Sequence, residues 1–132
     1  MPKLVLASFF ETEKWGPGRS IGISPGKPKE AKECDLKFDA LSPGDLYWDY
    51  HKYKKDDPEI AGKAFEKAFR AQLDTFVKEV NAEAEKQNKS VFDILPFKDG
   101  DTLLSWEKGG HMTYRVIVAE YLRKLGYEVE EN

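Results

Sequence analysis

The chain has 132 residues, 40% of them hydrophobic, which suits one domain with a real core and no need of a metal or disulfide staple. Its 24 acidic and 21 basic side chains leave a net charge of −3, not the basic balance of a protein that binds nucleic acid by counterion release. A single cysteine, Cys34, excludes an intrachain disulfide and suits a reducing, cytoplasmic setting, and no apolar run approaches the roughly 20 residues that span a bilayer.

Leu4 to Phe10 is a short, nearly continuous apolar run, which predicts a strand buried on both faces rather than a signal peptide. Gly16-Pro17-Gly18 marks a loop from Glu11 to Arg19. Ser20 to Ser24 alternates and ends at Pro25-Gly26, which predicts a second strand and a turn. Lys27 to Lys37 reads as a charged surface loop, and Phe38 to Leu41 as a short extended piece. Ser42-Pro43-Gly44-Asp45 is a helix start with proline at the first helical position, and Asp57-Pro58 is another.

From Pro58 the apolar positions Ala61, Phe65, Phe69, Leu73, Phe76, Val80 and Ala84 recur every three or four residues, predicting one long helix that ends near Asn88. Ser90 to Leu95 is one helical turn stopped by Pro96. Asp99-Gly100-Asp101 is a turn, Thr102 to Trp106 a strand, and Glu107 to Met112 a glycine-containing loop. Thr113 to Leu125 is a helix capped by Gly126, and Tyr127 to Glu131 a last strand.

This order predicts a single α/β domain over residues 1–132, with a mainly parallel open sheet and helices on its faces. Ligands in such sheets sit beyond the carboxyl ends of the strands, which directs attention to the loops 8–19, 24–37 and 107–115. The charged fraction, 34% against about 25% in an average protein, is thermophile-like in composition.

The segment Leu103 to Arg115 has the residues for a pocket. A strand delivers the chain to Gly109-Gly110, where the backbone can approach a ligand, and a helix follows whose first amides favour an anion. Thr113 would cap the helix or bond the ligand, Arg115 would clamp a phosphate or carboxylate, and His111 would act as acid or base with Glu107 beside it. The plain alternative is a tight turn, a capping threonine, an arginine paired with a surface carboxylate and a solvated histidine. The glycine spacing matches neither the phosphate loop nor the dinucleotide fingerprint.

Leu103 to Leu122 resembles the C-terminal signature of the family known as domain of unknown function 488. That signature is a strand ending in Leu-Cys-x-Glu, a short loop, then Cys-His-Arg opening a helix. Lys3 to Phe10, Ile21 to Pro25 and Ala40 to Pro43 also resemble its members, so the likeness spans most of the chain. Glu107 and Arg115 carry over residue for residue. Ser105 stands in place of the first cysteine, and Thr113 and Tyr114 in place of Cys-His. The hydroxyls keep hydrogen-bonding capacity but offer no thiolate, so the resemblance implies a polar binding role better than a nucleophilic one.

Other constellations are weaker. Trp48, Tyr50, His51 and Tyr53 alternate with Lys52, Lys54 and Lys55, a face (47–55) that would stack bases or, more plainly, an amphipathic helix. Cys34 between Glu33 and Asp35 is a poor nucleophile, and no metal-ligand spacing or cofactor motif is present.

The expectation is therefore a pocket for a small anionic or phosphate-bearing molecule, a nucleotide among the candidates, with Ser8, Arg19, Ser105, Thr113 and Arg115 as binding residues. Arg19 and Arg115 would face one ligand. Any turnover would be hydrolysis or group transfer with Glu107 or His111 as base. The alternatives are a catalytically degenerate interaction module and a weak nucleic-acid binder.

Overall fold

Five short segments pair into one all-parallel sheet, in the order β3-β2-β4-β1-β5. The computed structural model describes residues 2–26, 28, 29, 31, 33–106 and 114–132. The strands are β1 (Lys3–Ser8), β2 (Ser20–Gly22), β3 (Leu36–Lys37), β4 (Thr102–Ser105) and β5 (Glu128–Glu131). The helices are α1 (Asp45–Tyr53), α2 (Pro58–Gln87), α3 (Val91–Ile94) and α4 (Tyr114–Lys124), with single 3-10 turns at Thr12–Lys14 and Asp39–Leu41. The expected single α/β domain with a mainly parallel sheet is what forms.

The sheet order explains how the layers are arranged. The connections from β1 to β2 and from β2 to β3 step toward the β3 edge, while those from β3 to β4 and from β4 to β5 step toward the β5 edge. Crossovers of one handedness must then lie on opposite faces for the two directions. They do. Leu4, Leu6, Ile21 and Leu103 join the buried faces of α1, α2 and α4 in one large core. Their alternate neighbours Ala7 and Leu104 meet Phe9, Trp15, Ala31 and Cys34 from the loops on the other side. The helices thus gather on one face, because every helical connection runs in the same direction.

Local chemistry sets the helix ends. Asp57 accepts from the Ile60 amide at 3.1 Å and Pro58 occupies the first turn of α2, while Asn88 ends it in the left-handed conformation. Over 30 residues α2 runs about 45 Å. Arg70 on α2 pairs with Glu120 on α4 at 2.5 Å, and the Tyr121 hydroxyl donates to Asp74 at 2.7 Å, so the two helices are also tied outside the core.

Two expectations at helix and strand boundaries are corrected. α1 begins at Asp45 with Gly44 as its cap at φ +55°, and the Ser42 hydroxyl accepts from the Gly44 amide; Pro43 therefore precedes the helix instead of opening it. The segment 38–41 holds the 3-10 turn Asp39–Leu41 with Phe38 as its cap, and the extended residues are Leu36 and Lys37 just before it.

Candidate functional site

β1 and β4 are neighbours, but their chains leave in opposite directions. β1 continues over the loop-covered face toward β2, whereas β4 continues toward α4 on the helical face. At such a switch point the two connections part, and ligands in open α/β sheets usually sit there, at the carboxyl ends of the strands. Ser8 and Ser105 sit there as register partners, and both are fully buried. By strand alternation from Leu6 and Leu103 their side chains belong to the helical face.

The surroundings are polar and held in place. The Ser8 hydroxyl accepts from the Phe10 amide at 3.1 Å, and its carbonyl accepts from Trp15 Nε1 at 2.9 Å. A third buried serine, Ser24, follows β2, and its hydroxyl donates to the Gly26 carbonyl. Trp106 Nε1 donates to the same carbonyl at 2.8 Å, tying the end of β4 to the turn after β2.

Arg115 lies in the first turn of α4 and is 6% exposed. One guanidinium nitrogen donates to the main-chain oxygen of Asn132 at 3.2 Å, and the Asn132 amide in turn donates to the Leu6 carbonyl at 2.8 Å. Ser8, Ser105 and Arg115 therefore share the carboxyl end of the sheet. Glu107 and His111, either of them expected as the base, and Thr113, expected to cap the helix or bond the ligand, lie outside the described residues.

Arg19 does not share that end, which overturns the expectation that it and Arg115 face one ligand. The chain after β1 must return to the start of the parallel strand β2, so only the beginning of the loop 8–19 stays at the carboxyl end. Arg19 precedes β2, and its carbonyl accepts from the Thr102 amide at the opposite end of β4. Its guanidinium pairs with Asp101 at 2.8 Å and donates to the Pro96 carbonyl at 2.7 Å. Asp101 also accepts from the amides of Arg19 and Lys98. Burial pushes the Asp101 carboxyl up, but hydrogen bonds from the Arg19 guanidinium and these two amides outweigh it and hold the group below its ordinary value.

The aromatic and lysine face of α1 also divides. Tyr47 is buried against Tyr114, and Tyr50 packs on Phe65, while Trp48 and Tyr53 stay exposed. The Lys52 and Lys54 ammonium groups lie over the Tyr53 and Tyr50 rings. This is largely an amphipathic helix packed on the core. Burial, with Lys54 adding to it, lowers the pKa of His51. Cys34 lines a cavity of about 310 Å³ beside Gly22 together with Glu33 and Asp35. Among the described residues no group of His, Cys, Asp and Glu is poised to hold a metal, and no helix is long and apolar enough to cross a membrane.

No family model, no curated protein and no solved structure matches the chain.

Sequence reasoning passed over Ser24, Trp106 and Asn132. One signal was available for the first: Ala7-Ser8 and Leu104-Ser105 each place a serine directly after a strand's last apolar residue, and Ile23-Ser24 repeats the pair just past β2. The acceptor role of the Asn132 main chain toward Arg115 has no local sequence signal.

Proposed function

We propose that the chain binds a small anionic molecule, such as one bearing a phosphate or carboxylate, in the crevice between the ends of β1 and β4. The observation that carries this reading is the switch point itself, flanked by the hydroxyls of Ser8 and Ser105 and by the buried Arg115 at the start of α4. A buried guanidinium offers a fixed fork of donors suited to a planar or tetrahedral anion. The resemblance in Glu107 and Arg115 to the domain of unknown function 488 signature supports the same location. Loss of the thiols favours binding over thiol chemistry.

A thermal-shift screen of inorganic phosphate, sulfate and nucleotides tests the reading. At about 100 times its dissociation constant a ligand stabilises the folded state by about 2.7 kcal/mol, a rise of several degrees in Tm for a domain of this size. Wild type should show the rise and Arg115→Ala should lose it, each measured against its own ligand-free baseline. Arg19→Ala should keep it, because Arg19 lies at the other end of the sheet. Equal responses in wild type and Arg115→Ala would reject the crevice as the site.

A further inference from the structure

The first eleven residues of α2 contribute nothing buried: the helix's buried residues begin at Phe69. Along this end α2 is flanked by α1, and Phe65 packs half-buried against the core. Between the two helices runs a groove of about 520 Å³. Its floor is Ala61, Ala64, Phe65 and Ala68 of α2, and its wall is Leu46, Tyr50 and Tyr53 of α1. Ile60 at its edge is 66% exposed and Tyr53 55%, a larger apolar surface than a solvated helix needs.

The groove has a sign. Asp49, Asp56 and Asp57 line it, and no lysine, arginine or histidine among the described residues does. Asp57 spends one oxygen on the Ile60 amide. Lys52 and Lys54 lie over the Tyr53 and Tyr50 rings that form the wall, without lining the cleft themselves. The small alanine floor lets another backbone approach closely, and the stretch of α2 before Phe69 is about three turns long.

We infer that this groove docks an amphipathic helix of a partner protein whose apolar stripe is flanked by basic residues. Its apolar side chains would lie along the alanine floor against Ile60 and Tyr53, and its lysines or arginines would meet the three carboxylates. This surface is separate from the crevice at the strand ends and stands whether or not that crevice takes an anion.

The test uses the full chain and two labelled synthetic helices of about 14 residues, one of leucine and lysine, the other of leucine and glutamate in the same pattern. Fluorescence anisotropy should show saturable binding of the lysine peptide alone. Ile60→Glu and the double variant Asp49→Lys, Asp56→Lys should each weaken it at least tenfold. Ile60→Glu adds negative charge, so attachment by charge alone would tighten, and that result would overturn the inference. So would equal binding of the two peptides, or no saturable binding at low salt. Ala64→Trp, at an exposed position, fills the groove without changing charge; undiminished binding in that variant would also overturn it. Sedimentation of the free protein covers the remaining occupant. A concentration-dependent dimer abolished by Ile60→Glu would assign the groove to a second copy and remove the partner helix.

Discussion

At the amino-terminal end of the sheet, Arg19 is held by Asp101 and the Pro96 carbonyl, and the chain crosses so tightly that a Cβ on Gly18 would lie 2.6 Å from the carbonyl carbon of Gly100. At the carboxyl end, Arg115 is anchored through the main chain of Asn132, and the buried serines stand where two connections diverge. Each end has a buried or half-buried arginine. One closes a structural knot that joins the β1–β2 connection to the turn before β4. The other stands at the switch point of the sheet. Residue type does not distinguish them; the direction of the strands does.

If the lower end is a knot, breaking it should cost stability and leave ligand response alone. Asp101→Ala is expected to have the largest effect, about 2–4 kcal/mol in urea unfolding, because it strands the amides of Arg19 and Lys98 together with the guanidinium. The same carboxyl predicts an acid limb. Its folded-state pKa is depressed, so its contribution is complete above the unfolded value of about 3.9 and is lost as pH falls through the folded one. The stability gap between wild type and Asp101→Ala should therefore narrow below about pH 4. A gap constant down to pH 2 would mean that the carboxylate's charge contributes nothing to the knot.

The upper end should behave the other way. Ser8→Ala removes the acceptor of the Phe10 amide and is expected to cost about 1 kcal/mol, clearly less than Asp101→Ala. It should diminish any anion response, which Asp101→Ala should retain at temperatures where that variant is folded. If both substitutions cost the same stability and neither touches the response, the contrast between the ends is wrong.

Much of this was legible in the sequence, and the failures have definite causes. The cap at Asp57-Pro58, the stripe along α2 and the Gly126 stop after α4 are local signals, and each appears where expected. β3 carried no signal because it is two exposed residues at the sheet edge, with no buried face to impose alternation. Arg19 was misplaced for a different reason. A loop after a strand seems to belong to the carboxyl end, yet in a parallel sheet its far end must lie at the opposite pole. Sequence showed the loop and the strand after it; what the expectation missed is that Arg19, next to the first residue of that strand, lies at the strand's starting pole. The serines were visible one by one; their convergence needed the order β2-β4-β1.

Tyr127 sharpens the comparison from the other side, since it precedes β5 at the lower end and breaks the pattern of satisfied groups there. Its ring packs edge-on against Phe92 and Phe97, but its buried hydroxyl has no hydrogen-bond partner among the described residues. Burial pushes its pKa up to about 12. Tyr127→Phe keeps the packing and removes the stranded group, so at pH 7 it is expected to stabilise the fold by up to about 1 kcal/mol. The folded pKa is raised, so the wild-type contribution is intact below the unfolded value near 10 and is lost as pH rises toward 12. The advantage of Tyr127→Phe should therefore widen between pH 10 and pH 12, read as the difference between two urea titrations so that the other tyrosines cancel. A variant less stable than wild type at pH 7 would show that the hydroxyl is in fact partnered, and that the lower end is satisfied throughout.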